Sequence, residues 1–225
     1  MSHSVRHHLR LEIDEYDATI RRFIPGYETM LKVAAEAVAS VKPDLVVDLG
    51  SGTGGLSEVM LGQESVDIVE LLDVDPEMMA QARNRLARFS DRVRFTLRSF
   101  DDPFSPCDAF AASLSLHHIP TLAAKTLLFQ RAFAALRPGG VLVNADATMP
   151  RDAAEQELLY RGWADHMVSE GILEERAWEH FSEWAGEDTY LPLADELTAL
   201  RSSGFLAERV WYAGPIGVVV ARKPE

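Results

Sequence analysis

Val46-Val47-Asp48-Leu49-Gly50-Ser51-Gly52-Thr53-Gly54-Gly55 runs an apolar stretch straight into a glycine-dense turn, and a helical pattern resumes at about Leu56. A strand that turns on glycines into a helix opens a parallel α/β sheet, because glycine permits positive φ and lets the backbone approach a ligand closely. The alternation repeats downstream: strand Val66–Leu72, helix Pro76–Phe89, strand Val93–Leu97, a strand near Ala109–Ser113, helix Leu122–Leu136, a turn at Pro138-Gly139-Gly140 and strand Val141–Ala145. Short apolar strands separated by helices predict a sheet covered on both faces.

Outward from this core the pattern changes. Residues 1–9 are polar, and His3, His7 and His8 read as a solvated tail. From Leu11 to Val41 two helices are predicted, broken at Pro25-Gly26. After Pro150 come helical stretches Asp152–Glu170, Leu173–Ala185 and Leu193–Ser203, then two β-rich runs, Phe205–Tyr212 and Ile216–Ala221. The short link Ala213-Gly214-Pro215 makes those runs an antiparallel hairpin. The fold class is therefore α/β, Rossmann-like, with a mostly parallel sheet, an antiparallel C-terminal strand, an N-terminal helical cap (1–43) and a main domain (44–225) carrying a helical lid insert (151–190).

Composition narrows the function. The 225 residues hold 22 Lys+Arg against 35 Asp+Glu, a net charge of −13, which disfavours nucleic acid and anionic membranes as partners. The single Cys107 excludes an intramolecular disulfide and cysteine-cluster metal sites, and no apolar run is long enough for a membrane span. A cytoplasmic protein is expected.

Gly50, Gly52 and Gly55 match the dinucleotide fingerprint, so a nicotinamide-dependent oxidoreductase is one reading. Asp48 argues against it, because a carboxylate two residues before the first glycine repels a pyrophosphate. A cationic ligand fits better, and S-adenosylmethionine offers an ammonium and a sulfonium. The competing role for Asp48 is to bond the glycine-loop amides. Asp73, ending the second strand, suits both hydroxyls of a ribose; Asp75 suits the N-cap of the helix opened by Pro76, and Met78 lies where adenine or core could take it.

With these residues in place, the chain resembles the class I S-adenosylmethionine-dependent methyltransferases over essentially its whole length. The resemblance rests on Asp48-Leu49-Gly50-Ser51-Gly52-Thr53-Gly54, Asp73, Ser113-Leu114-Ser115-Leu116-His117-His118 and Leu136-Arg137-Pro138-Gly139-Gly140. The stretch Tyr16 to Tyr27 is similar to the cap of a subgroup that includes the carboxy-S-adenosylmethionine enzymes of tRNA wobble-uridine modification and related small-molecule methyltransferases. The resemblance implies a seven-stranded sheet with the cofactor across the carboxyl ends of its strands. It implies cofactor contacts from Tyr16, Asp48, Gly50, Ser51, Gly52, Gly54, Asp73, Val74, Met78, Ser99, Phe100, Ser113 and Leu114. Where the family carries an acid after strand three for the adenine amino group, this chain has Ser99-Phe100 followed by Asp101-Asp102, so Ser99 or Asp101 takes that contact.

Methyl transfer from a sulfonium relies on positioning and exclusion of water, and a base is needed only if the acceptor loses a proton. His117 and His118 follow strand four and are the candidates for that base, for shaping contacts, or for structural roles. Asn144 and Asp146 share a face of strand five, and with Tyr27, Tyr160, Trp163 and His166 they are expected to bound an acceptor pocket. Asp146, His117 and His166 would offer oxygen and nitrogen to a metal, but no HxH or HExxH spacing supports one, and no metal is expected. The leading expectation is methyl transfer to a small-molecule acceptor, with a homodimer compatible. The alternatives are a carboxy-S-adenosylmethionine-using or -forming enzyme, with Arg21 or Arg22 meeting the extra carboxylate; the oxidoreductase; and a non-catalytic cofactor-binding subunit.

Overall fold

The computed structural model describes residues 13–225, with side chains from Asp17 onward. The readings on His3, His7 and His8, on Leu11, and on the side chain of Tyr16 lie outside the described residues.

Seven strands form one sheet in the order β3-β2-β1-β4-β5-β7-β6: β1 (Leu45–Leu49), β2 (Ile68–Asp73), β3 (Val93–Leu97), β4 (Cys107–Ser113), β5 (Leu136–Ala147), β6 (Leu206–Ala213) and β7 (Ile216–Arg222). The first five pair in parallel, and β7 runs antiparallel to both β5 and β6. The direction in which strands are added reverses between β1 and β4. Ligands of open α/β sheets bind at that reversal, outside the carboxyl ends of the strands.

Alternation along each strand builds two cores. Val46, Leu71, Ala111, Val143 and Val218 face one side, packed with α1 (Ile13–Phe23), α2 (Tyr27–Ala39), α3 (Gly55–Leu61), α6 (Ala153–Ser169) and α7 (Glu174–Trp184). Val47, Leu49, Phe110, Leu142 and Val219 face the other, against α5 (Leu122–Ala135) and α8 (Leu193–Ser202). Across that second layer Lys125 Nζ meets Glu196 Oε1 at 2.6 Å, with both side chains 1% exposed.

Local chemistry sets the helix ends. Asp75 Oδ1 accepts the N–H groups of Glu77 (2.8 Å) and Met78 (3.3 Å), and Pro76 fills the first position of α4 (Pro76–Arg85). Asp152 caps α6 in the same way.

Two boundaries differ from expectation. The helix from Pro76 stops at Arg85 and a 3-10 turn, Ala87–Arg92, follows; Phe89 is non-helical within it, its ring under the Arg88 guanidinium at 4.7 Å. Pro138-Gly139-Gly140 is not a free turn but an irregular part of β5: the register against β4 shifts between Cys107 and Ala109, and Gly139 takes φ +72°. The chain end backs it, with Gly139 N–H donating to Lys223 O at 3.1 Å and Lys223 N–H to Gly140 O at 2.9 Å. Among the described residues no helix is long and apolar enough to cross a membrane.

Candidate functional site

A cavity of about 410 Å³ opens at the carboxyl ends of β1, β2 and β4, a volume suited to a small ligand. Its floor is the glycine turn. Gly50, Gly52 and Gly54 all have positive φ, but the space around them differs. A Cβ on Gly52 would meet nothing within 4 Å, so this backbone faces open cavity. A Cβ on Gly50 would lie 2.6 Å from Ser115 Cβ, and one on Gly54 would lie 3.2 Å from Leu86 Cδ1. The Gly52 backbone is thus open to the cavity, whereas Gly50 and Gly54 are packed against neighbours, and Gly54 is outside the wall.

Asp73 closes the turn. Its Oδ2 accepts Gly52 N–H at 2.7 Å and its Oδ1 accepts Asp75 N–H at 2.9 Å, and Asp73 and Gly52 both line the cavity. Burial raises its pKa against those bonds. Asp48 is 1% exposed yet on the wall, and accepts one hydrogen bond, from Ser57 Oγ at 2.6 Å. Burial, reinforced by the Asp73 charge, pushes its pKa to about 7. A carboxylate held this way gains from a neighbouring cation, so the site fits an ammonium group better than a pyrophosphate.

Val74, Ser51, Ser99, Phe100, Ser113 and Leu114 line the same cavity. Asp101 does too, its N–H on Ser99 Oγ at 3.0 Å, so both candidates for the adenine contact share one wall. Leu114 holds φ +51°, a conformation uncommon outside glycine, fixed by its N–H on Ala145 O at 2.9 Å. That turn delivers the short 3-10 segment Leu116–His118 to the rim.

His117 and His118 both line the cavity. His117 Nδ1 lies 2.6 Å from Asp146 Oδ1, and its backbone N–H donates to Asp146 Oδ2 at 3.0 Å. Burial works against a charged ring, but the Asp146 charge and hydrogen bond, with Asp188 beyond them, hold the His117 pKa above the ordinary value. Burial likewise opposes a charged Asp146, yet His117 keeps it below the usual carboxylate range. The other ring nitrogen, His117 Nε2, points toward Asp188 at 3.6 Å.

The roof is aromatic. Trp163 and Tyr27 line it, with Phe23, Trp184 and Tyr190. Trp163 stands 5.8 Å from Trp184 and 5.9 Å from Tyr190 between ring centroids, and its Nε1 donates to Phe23 O at 2.6 Å, tying lid to cap. A second tie joins cap to floor: Asp17 accepts from Thr53 Oγ1 at 2.8 Å and pairs with Arg85.

Several expected wall residues stand elsewhere. Met78 is fully buried and off the wall, resolved toward the core. Asn144 and Asp146 share a face of β5, as their spacing requires, but both are buried and off the wall, Asp146 acting through His117. Tyr160 is also off it, its ring tilted against Phe181 at 5.0 Å between centroids, as is His166, so the expected set of His117, Asp146 and His166 does not converge. Arg21 pairs with Glu28 at 2.6 Å and Arg22 Nε donates to Glu170 O at 3.0 Å, neither on the wall. Sequence reasoning missed Trp184, Asp188 and Tyr190; Tyr190 and Asp188 lie in a loop without periodicity, and only the richness in aromatics hinted at Trp184.

A methyltransferase-domain family profile matches residues 47–142, the span from β1 into β5. The carboxy-S-adenosyl-L-methionine synthase of Psychrobacter arcticus is 27% identical over 171 residues, 69% of this chain and 65% of that protein. The synthase of Chromohalobacter salexigens is 28% identical over 207 residues, 86% of this chain and 74% of that one. Among solved structures, an O-methyltransferase family protein from Burkholderia thailandensis superposes with a TM-score of 0.68 at 16% identity, over 88% of this chain and 56% of that one. Human N-acetylserotonin methyltransferase, solved with S-adenosylmethionine, gives 0.60 at 16% identity, over 100% of this chain and 63% of its own. The glycine turn with Asp73 and the buried Asp48, the sheet order with its antiparallel β7, and these comparisons agree that the chain carries a methyltransferase domain on the fold of these solved methyltransferases and is similar to the carboxy-S-adenosyl-L-methionine synthases, of which it spans 65% of the Psychrobacter arcticus protein.

Proposed function

We propose that the chain is a cytoplasmic enzyme that methylates a small, partly apolar acceptor. The observation carrying this reading is a single cavity that runs from the glycine turn to an aromatic roof, with a polar His-Asp cluster between them. S-adenosylmethionine, when bound, supplies an electrophilic methyl group on a good leaving group. Gly52 and Ser51 would flank its methionine part, Asp48 would face the ammonium, Asp73 the ribose, and Ser99 or Asp101 the adenine amino group.

The remaining work falls to positioning. Phe23, Trp163, Trp184 and Tyr190 offer apolar surface that excludes water and selects an acceptor with an apolar body. The Trp184 indole N–H is buried with no hydrogen-bond partner among the described residues, and its ring lines the cavity. It suits an acceptor oxygen. The cluster of His117, His118 and Asp188 receives the acceptor's ionisable group. A carboxylated cofactor is the less supported reading, because Arg21 and Arg22 are spent on Glu28 and Glu170. The acidic chain supports a small acceptor over a nucleic acid.

Calorimetric titration with S-adenosylmethionine and S-adenosylhomocysteine tests the cofactor half, and saturable binding of both is expected. Incubation with fractionated metabolites, scored by S-adenosylhomocysteine release above the acceptor-free background, tests the rest. Release only with tRNA would reject the small acceptor.

A further inference from the structure

His117 and His118 are consecutive on their 3-10 turn, while Asp188 comes from the loop that follows α7. That loop is pinned beside them by Thr189 N–H donating to His117 O at 2.8 Å. His117 Nε2 lies 3.6 Å, and His118 Nδ1 3.2 Å, from the same atom, Asp188 Oδ1. One donor atom from each of the three residues falls within a span of 4.8 Å. We infer that His117, His118 and Asp188 form a binding site for one divalent transition-metal ion of the zinc type, a role that deepens, and for its catalytic meaning rests on, the methyl-transfer reading.

Distances carry the first part of the argument. An ion held tetrahedrally at ~2.0–2.1 Å separates its ligand atoms by about 3.3–3.4 Å, and the two measured edges bracket that separation. The outer contacts carry the second. A metal-ligating histidine donates its other ring N–H to a carboxylate, which fixes the tautomer and raises the basicity of the ligand. His117 does this with Asp146 at 2.6 Å, and Asp146 is itself fixed by the backbone N–H groups of His117 and Ala147. The ligand carboxylate is fixed as well: Asp188 Oδ2 accepts the Tyr190 hydroxyl at 2.5 Å. Location is the third part. All three residues line the cavity, and three protein ligands leave a fourth position for a substrate group, as in catalytic rather than structural sites. An ion there would hold a lone-pair-bearing group of the acceptor at the rim and lower its pKa, so that its proton is released to solvent water before the methyl group is transferred.

The full chain, stripped with a chelator and without cofactor or acceptor, is titrated with Zn²⁺ by calorimetry and with Co²⁺ by its visible d–d absorption. The expected result is one equivalent per chain, an intense four-coordinate Co²⁺ spectrum, and a Zn²⁺-dependent rise in the Tm of the wild-type chain. Asp188→Asn and His118→Ala, each checked by near-ultraviolet circular dichroism, should weaken Zn²⁺ binding about tenfold or more, and Asp146→Asn by about 10–100-fold. A chain carrying His3→Ala, His7→Ala and His8→Ala should bind as the wild type does. Absence of saturable binding, affinity unchanged in both Asp188→Asn and His118→Ala, or loss of binding in the tail variant overturns the site. Such a failure leaves the methyl-transfer reading standing, whereas a chain that binds metal but neither S-adenosylmethionine nor S-adenosylhomocysteine would overturn that reading alone.

Discussion

Asp48 pays twice for its position. Its folded pKa of about 7 stands above the ordinary carboxylate value, with burial the foremost cause. A carboxyl whose pKa is raised on folding stabilises nothing as pH rises: the unfolded chain gives up the proton first, so stability falls from about pH 4 to about pH 7 and stays low above that. Asp48→Asn should therefore raise the thermal stability of the cofactor-free chain at pH 8, on the order of 1–3 kcal/mol, while Asn can still accept from Ser57. The same change should weaken S-adenosylmethionine binding by about 1–3 kcal/mol, since a charge-assisted contact is lost. If Asp48 holds the ammonium as proposed, only its ionised form would do so, and affinity should climb about tenfold between pH 6 and pH 8. Calorimetry at the two pH values, with scanning calorimetry of the variant, decides all three. The glycines divide differently. Gly52→Ala places a methyl in open cavity at positive φ, a strain of about 1–2 kcal/mol, and should leave a folded chain with cofactor binding reduced at least tenfold. Gly50→Ala meets Ser115 Cβ and should instead lower Tm sharply.

Packing of α5 against α8 depends on the Lys125–Glu196 pair, among the most enclosed charges in the described chain. Removing one partner of a buried pair leaves an uncompensated charge, so Lys125→Met should cost about 3–5 kcal/mol in urea unfolding. Lys125→Met combined with Glu196→Leu should recover most of that loss, because apolar residues of similar volume replace a desolvated pair at little cost. An additive double variant would mean that the two groups do not interact. Neither residue lines the cavity, but the Lys125 charge acts on the His117–Asp146 pair, lowering the pKa of each, so the pair belongs to the scaffold and to the electrostatics behind the site.

Cap, lid and glycine turn meet around one cavity through a shared apolar layer, with Phe23 5.3 Å from Trp184, and through Trp163 Nε1 to Phe23 O, Arg22 Nε to Glu170 O, and Asp17 with Thr53 and Arg85. Peripheral helices laid over a cavity open more readily than a sheet whose central strands are buried on both faces. On the proposed reading, a roof that admits an acceptor and then excludes water would use that difference. Hydrogen exchange should show protection gained from Ile13 to Tyr27 and from Asp152 to Tyr190 when S-adenosylhomocysteine and acceptor bind, with β1, β4 and β5 unchanged. Protection confined to β6 and β7 would move the binding site away from the cavity.

Local pattern was enough for the sheet, the antiparallel closure and the glycine turn. Apolar alternation, glycine positions, and caps such as Asp75 act over a few residues, so they are written in consecutive letters. The length of β5 was not legible, because Pro138-Gly139-Gly140 reads as a turn until the chain end at Lys223 backs it. The roof was half legible. Tyr160 and Trp163 lie one helical turn apart, yet only Trp163 meets the cavity, since the rotation of α6 is set by Phe23, Phe181 and Trp184 rather than by its own sequence. Least legible was the partner of the histidine pair. His166 offered a ligand by composition, but Asp188 arrives instead, from a distant loop anchored by Thr189 to His117. Short-range order is dictated by the residues that carry it; which far-apart side chains converge at the rim is decided only when the helices pack and their loops find hydrogen-bond partners.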